Sequence, residues 1–525
     1  MRKIALLIAA CATCLHMAAQ NQTAYDALLA SSSELNGTAR FMAVGGALGA
    51  IGGDASTIFY NPAGIGIYRS SELTLSINVD WANTTLSDMS NPHAAYNTHT
   101  NFNLQHAAYV GTWNFEKEKG LLNFNFGIAY NQAKKFSREG YYHGNQPHSY
   151  TQWIAGMTDG IAVGDLSRPK NKHDYNPAYD NSDIPWGSVL AYDSYLTDLK
   201  YTDQNDIYQS LYDWNGKKNV NKYIHFQEEG VANDFAISFA GNISNILYWG
   251  MTFECDYGYY SRRTTLQERF DDGSVYSLHT KYGFESVGFT YKIGLIARPT
   301  NWLRIGASFH TPTVFSYKDY SNAICDYEVY DVGGKNQWGT TETPYVMEDS
   351  TNLTGPLKAM ASLGFVLGQY GFVGIDYEYE NTSAINGNDD HIKDFYRSVL
   401  QDRHTIRAGI EVKPLEGLAL RVGGGYSLPS TPKDMYRVPF WEDTRVDTEY
   451  YNETESYNVT AGIGYRVGRH AIDLAYVWQV NTADYYSYSP GFTKYDGSYF
   501  NIPNVDPINM RTVRNQLVLT YGIRF

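Results

Sequence analysis

At 525 residues the chain could hold two or three ordinary domains, yet no shift in composition divides it and charged residues make up only 18%. Its net charge of −14 argues against nucleic acid as a partner, because such binding is carried by basic surface, and fits solvated acidic loops. Aromatic residues reach 15%, with 46 Tyr, 10 Trp and 47 Gly, at a mean hydropathy of −0.41; this mixture is unusual for a soluble enzyme and usual for a membrane barrel with a polar lumen and aromatic girdles.

The chain begins with Arg2 and Lys3, an apolar Ile4 to Ala10 and small residues at Ala18 and Ala19. This pattern predicts a secretory signal peptide over residues 1–19. Ile8-Ala9-Ala10-Cys11 also resembles a lipoprotein cleavage box, although the apolar region before it is very short. No later segment has the roughly 18 unbroken apolar residues that a spanning helix needs, which leaves the periplasm, the surface or a barrel in the outer membrane. Cys11 and Cys14 fall in the leader. Cys255, in a predicted strand, and Cys325, in a predicted loop, could pair after export or remain two free thiols.

Residues 20–70 read as a plug. Tyr25, Leu28 and Leu29 have helix-like spacing, and Gly45-Gly46-Ala47-Leu48-Gly49-Ala50-Ile51-Gly52-Gly53 supplies small residues that let a backbone pack tightly inside a cavity. A phosphate loop does not fit, since no strand precedes these glycines and no Walker lysine is present.

From residue 71 to 525 the sequence reads as an all-β membrane protein, an antiparallel transmembrane β-barrel. The first strand shows the period of two, with Leu73, Leu75, Ile77 and Val79 set against Thr74, Ser76, Asn78 and Asp80. About fourteen such segments follow one another to the C-terminus, joined alternately by short turns and long loops, which is the outer-membrane pattern of periplasmic turns and external loops. Arg407, Glu411, Arg421 and Arg466 lie on the face opposite the apolar one, and Trp113, Trp249 and Trp302 fall at the periplasmic ends. The last strand ends with Tyr521, Ile523 and Phe525 on one face, resembling the C-terminal signal read by the barrel-assembly machinery. The long external loops are 133–233, which contains a helix with Trp186, Val189, Leu190, Leu196 and Leu199 on one side, and 318–355. The first reads either as a cap over the barrel mouth or as a polymorphic surface loop.

Catalytic signatures are lacking: there is no GxSxG, HExxH or CxxC, and the 13 histidines have no ligand spacing. Asn388-Asp389-Asp390-His391 lacks the glycine and terminal glutamate of a calcium loop. The expectation is no enzyme, no cofactor and no bound metal.

Asp54-Ala55-Ser56-Thr57, followed by Asn61-Pro62-Ala63-Gly64 and an amphipathic strand, resembles the hatch of the FadL/TodX family of outer-membrane transporters for hydrophobic compounds. Beyond this motif the likeness is one of strand pattern. The resemblance implies a monomeric barrel in outer-membrane lipid and lipopolysaccharide, with an N-terminal hatch in its lumen. Outer loops would capture an apolar ligand, the hatch would move, and the ligand would leave sideways through a gap associated with a kink in the third strand. Gly127 is the candidate for that kink, since glycine weakens a strand; it could equally relieve crowding against the plug. Long-chain fatty acids are the first expected ligand, with aromatic hydrocarbons, sterols and haem behind them. The alternative is a surface receptor or adhesin, for example for haem, using the tyrosine-rich loops; an outer-membrane hydrolase is a third reading.

Overall fold

The computed structural model describes residues 24–525, apart from 89–97, 167–174, 202–205, 215–219, 333, 345–346, 388–395, 434, 436, 438–443, 494–498 and 503–504. The predicted signal peptide and Asn388–His391 lie outside the described residues. Fourteen antiparallel strands close into a barrel. They are β1 (Glu72–Ser87), β2 (Thr98–Asn114), β3 (Leu121–Gln146), β4 (Val220–Ile243), β5 (Leu247–Phe270), β6 (Val275–Ala297), β7 (Leu303–His310 and Val314–Val332), β8 (Met347–Thr354 and Lys358–Val366), β9 (Gly371–Glu380), β10 (Arg403–Leu415), β11 (Leu418–Ser427), β12 (Tyr450–Val467), β13 (His470–Tyr486) and β14 (Ile508–Arg524). Closure is direct: Glu72 pairs with Val110 of β2 on one side and with Arg524 of β14 on the other.

The alternation has a physical reading once lipid is taken as the outer solvent. Leu73 and Leu75 on β1, Phe253 on β5, Ile410 on β10 and Leu519 on β14 are exposed outward, while Thr74, Ser76, Asn78 and Asp80 are buried inward. Closure pairs the backbone groups that hydrocarbon could not satisfy. Among the described residues no helix is long and apolar enough to cross a membrane.

β7 and β8 are each interrupted at the same level, by Thr311-Pro312-Thr313 and Gly355-Pro356-Leu357. Proline has no N–H for the ladder, and one bond, Gly355 N–H to the Thr313 carbonyl at 2.8 Å, crosses the break.

The strands run far beyond the predicted ends. The third and fourth stay paired from Lys134 opposite Ala232 to Gln146 opposite Val220, so both flanks of the predicted loop 133–233 are strand. Within 318–355, β7 continues to Val332 and a hairpin strand Lys335–Glu342 folds back on it. Cys325 therefore sits in a strand and is buried; both it and Cys255 are free thiols. Burial pushes the Cys325 thiol up to about 12.

The described remainder of 133–233 folds over the mouth. Helix α4 (Tyr150–Thr158), helix α5 (Trp186–Asp193) and the hairpin Thr197–Tyr201/Ile207–Ser210 pack into one apolar cluster. Strand tops from around the rim join it, among them Leu86, Tyr142, Phe226, Leu266, Tyr276, Tyr485 and Met510. The predicted helical stripe is shorter than expected: Trp186, Val189 and Leu190 lie on α5, whereas Leu199 belongs to the hairpin. The fully buried Glu268 of β5 anchors the roof, accepting hydrogen bonds from Ser149, the Tyr150 amide at 3.1 Å and the Tyr276 hydroxyl at 2.8 Å. Lys222 pairs with it at 3.3 Å and lies over the Tyr488 ring at 4.9 Å.

Removing one member of a buried ion pair leaves the other uncompensated, at a cost of about 3–5 kcal/mol. Glu268→Ala is therefore expected to detach α4. Protease added to intact cells should then cut within 147–219, while the barrel keeps its heat-modifiable mobility on gels.

Candidate functional site

An irregular segment enclosed by the wall must satisfy its backbone polar groups there. Residues 24–70 do so against the inward side chains of the barrel. Helix α1 (Ala24–Ser31) lies uppermost, followed by the short helices α2 (Ala39–Ala43) and α3 (Thr57–Tyr60) and a 3₁₀ turn, Pro62–Ile67. Thr252 donates to the Ile58 carbonyl at 3.0 Å, Lys292 to that of Phe59 at 3.0 Å, Ser308 and His310 to that of Tyr60 at 2.8 Å each, Asn125 to that of Ile65 at 2.6 Å, and Thr460 to that of Ala43 at 3.0 Å. The amides of Ala39 and Gly49 donate to Thr520 at 2.7 Å and Asp376 at 2.9 Å. Arg40 of α2 pairs with Glu411 at 3.1 Å, which also holds Arg421, itself 2.6 Å from Asp473.

The Asn61-Pro62-Ala63-Gly64 motif sits at the tightest part of this contact, all four residues buried. The Asn61 amide donates to the Gly49 carbonyl at 2.7 Å and its oxygen accepts from the Ala63 N–H at 3.2 Å. Pro62 opens the turn. The wall gives way with glycines: a Cβ at Gly294 would lie 2.0 Å from Asn61 Oδ1, one at Gly250 2.3 Å from the Pro62 carbonyl carbon, and one at Gly374 2.1 Å from the Ala47 oxygen. Gly64 is equally confined, since a Cβ there would meet Thr57 Oγ1 at 2.5 Å.

Two chambers lie above the hatch and adjoin at α1. The upper, about 70 Å³, is bounded by Tyr25, Tyr260, Tyr282, Tyr450 and Tyr451 together with Arg262, Arg437 and Arg445. The lower, about 240 Å³, is bounded by Phe59, Tyr60, Lys134, Lys292, Arg407, Arg514 and acidic partners. Leu29, Ser32, Lys134 and Tyr451 line both. Tyr25 donates to Asn452 at 2.8 Å, and Arg445 reaches Asp26 at 2.6 Å while lying 3.7 Å over the Tyr282 ring. Burial opposes ionisation of Asp447, but Arg437 and Arg445, at 2.9 and 2.6 Å, outweigh it and hold this carboxyl well below the usual range.

The wall opens beside the lower chamber. β2 and β3 pair from Asn114 opposite Asn123 only as far as His106 opposite Asn131. There both strands are irregular: the register shifts on β2 between Gln105's neighbours and on β3 between Gln132 and Lys134. Above this level side chains bridge the separated strands, Lys135 donating to Asn103 at 2.8 Å and Asn101 to Ser137 at 3.2 Å. The hatch reaches the same point. The Ala133 carbonyl accepts from the Glu34 amide at 3.0 Å and from Asn36 Nδ2 at 3.1 Å, and Gln105 donates to Asn36 Oδ1 at 2.6 Å. Arg514 links Glu34, at 2.6 Å, to the Lys135 carbonyl, at 2.9 Å.

Gly127 is not the irregular position. It pairs in register with Val110 and Ser238, and a Cβ there would come within 2.8 Å of Ile58 and 3.3 Å of Ile65; it makes room for the hatch. The break lies at Ala133, a residue with no sequence signal of its own. Tyr521, Ile523 and Phe525 lie together on the outward side of β14. Tyr521 bonds His470 at 2.6 Å and Phe525 stacks against Tyr109 at 6.2 Å.

Sequence reasoning also missed a carboxylate cluster, Asp234, Glu254 and Asp256, whose oxygens lie within 4.8 Å of one another. Its members stand on neighbouring strands, with Asp234 directly opposite Asp256, a relation visible only once register is known. The Lys292 ammonium, 2.6 Å from Glu254, supplies a cation there.

Replacing Gly250 by Ala is expected to push the hatch aside while the barrel still assembles, raising single-channel conductance and sensitivity to large antibiotics. Gly522→Ala, whose nearest neighbour would be 3.6 Å away, should change neither. Asn61→Ala, which strands two buried backbone groups, should cost about 1–3 kcal/mol, read as a lower unfolding midpoint.

No protein-family model and no curated protein sequence matches the chain. Among solved structures it resembles a Pseudomonas aeruginosa FadL homologue at a TM-score of 0.53 and 11% identity, covering 94% of this chain and 100% of the other. The Pseudomonas putida toluene transporter TodX follows at a TM-score of 0.47 and 12% identity over 94% and 100% of the two chains. The Ralstonia pickettii toluene transporter TbuX stands at 0.45 and 13% over 93% and 98%. With its closed wall of fourteen strands, outward apolar belt and filled lumen, this chain is an outer-membrane β-barrel with the FadL fold.

Proposed function

We propose that the chain is a monomeric channel of the FadL/TodX type for passive uptake of hydrophobic compounds across the outer membrane, long-chain fatty acids first among them, gated by its N-terminal hatch. It reaches the membrane by its signal peptide and is inserted by the barrel-assembly machinery through Tyr521, Ile523 and Phe525, among lipid and lipopolysaccharide. One observation carries the reading: the break between β2 and β3 opens beside the lower chamber, and the hatch residues Glu34 and Asn36 are bonded to the strand irregularities that form it. A ligand entering past α1 into the tyrosine-lined chamber displaces this helix, and residues 32–36 move with it. Their release from Ala133 and Gln105 frees the polar bridges across the gap, and the ligand passes sideways into lipid.

The reading is supported by what the roof is made of. A cap packed as a single apolar cluster suits a lid over a lumen better than it suits a loop free to adapt to a protein partner.

The test is uptake of radiolabelled oleate, with toluene as the aromatic arm, by cells with and without the protein. Lys135→Ala, which removes the bridge to Asn103, should raise uptake, and Ser137→Trp, which fills the gap, should lower it severalfold at unchanged barrel assembly. Uptake of both probes that is indifferent to the protein would sink the proposal.

A further inference from the structure

A cleft of about 1240 Å³ lies outside the barrel lumen, set between the 3₁₀ turn Pro177–Asp180, the tops of β5 and β6 and the hairpin Lys335–Glu342. Two large aromatic rings stand exposed at it, Trp338 at 69% and Tyr175 at 56%. Two such rings opening on one cleft offer a ligand flat contact area with little conformational freedom to lose. Tyr179, only 7% exposed, also lines the cleft, its ring 6.5 Å from that of Tyr175.

The remaining chemistry narrows the class of ligand. The cleft has carboxylates at Asp326, Glu328 and Glu342 and a single arginine, Arg269, so an anionic ligand is disfavoured. Carboxylates accept hydrogen bonds and donate none, which matches a partner rich in hydroxyl donors. Flat aromatic faces carry negative charge density that attracts weakly positive C–H groups. Polar edges with C–H faces are the chemistry of a pyranose ring. We infer that this cleft binds a neutral oligosaccharide, held by stacking on Trp338 and Tyr175 and by hydrogen bonds to the carboxylates. It is a second function for the chain, independent of the hydrophobic route through the lumen.

The experiment titrates the purified full-length protein in detergent micelles with maltoheptaose, cellohexaose, xylohexaose, laminarihexaose and mannohexaose, using calorimetry. Polygalacturonate serves as the anionic control and hexalysine as the cationic peptide control. Saturable binding of at least one neutral glycan is expected, weakened about tenfold or more by Trp338→Ala and several-fold by Tyr175→Ala, with oleate uptake unchanged in both variants. Both keep the barrel and its roof intact, which heat-modifiable mobility checks. Binding of none of the neutral glycans at millimolar concentration would overturn the inference, as would glycan binding untouched by Trp338→Ala or preference for either charged control.

Discussion

The constraint on which this structure depends is the burial of an irregular backbone inside a closed wall. A lumen spanned by fourteen strands is too wide for side chains alone to fill, and the hatch that fills it brings turns whose N–H and C=O groups have no ladder of their own. The wall meets this need in two ways. Its inward threonines, asparagines, lysines and arginines act as hydrogen-bond partners for the hatch main chain, as Thr252, Asn125, Lys292 and Thr460 do. Where backbone must approach backbone, the wall carries no side chain, as at Gly250, Gly294 and Gly374. The polar inner face is thus chiefly a mould for the hatch.

That mould is uneven, and its unevenness bears on the gating proposed for the hatch. Around α2 the hatch is held by the buried Arg40–Glu411–Arg421–Asp473 chain and by main-chain contacts too close to slip. Between Ser32 and Asn36 it is held by a few polar bonds beside open volume, and these end on the wall where β2 and β3 separate. Local opening follows the regions with least packing. Residues 32–36 are therefore the least closely held part of the hatch, between α1, fixed by Asp26 to Arg445 and by Tyr25 to Asn452, and the lower turn in its glycine seats.

How far the sequence disclosed this arrangement depended on which solvent each residue meets. Strand positions within the bilayer were legible, because lipid on one side and a wet lumen on the other force the alternation seen at Leu73–Asp80. Above the membrane both faces of a strand meet water or the roof, the apolar period lapses, and β3 from Lys134 to Gln146 reads as loop although it is paired throughout. The Asn-Pro-Ala-Gly motif was visible as a string, but its seat was not: Gly250 and Gly294 stand more than 180 residues away, and only folding brings them together. Gly127 was open to two readings for a related reason. A glycine in a strand signals either a bend or a close neighbour, and the neighbours here, Ile58 and Ile65, belong to the hatch. The true irregularity falls at Ala133, where nothing in the local sequence departs from strand chemistry.

The two chambers differ in a way that gives the proposed route its direction. The upper sets five tyrosines, Tyr25, Tyr260, Tyr282, Tyr450 and Tyr451, beside paired charges such as Arg445 with Asp447, and the rings offer an apolar ligand contact area together with hydroxyls for a polar end. The lower sets paired charges such as Lys292 with Glu254 and Arg407 with Glu378 beside Leu35, Phe59 and Phe136, and gives an apolar molecule less gain. Each Å² of apolar surface moved from such a setting into lipid is worth about 25 cal/mol. For a chain of a dozen or more methylenes the step through the wall is therefore downhill by several kcal/mol. On the proposed route, the step from a polar lumen into lipid therefore needs no energy source of its own.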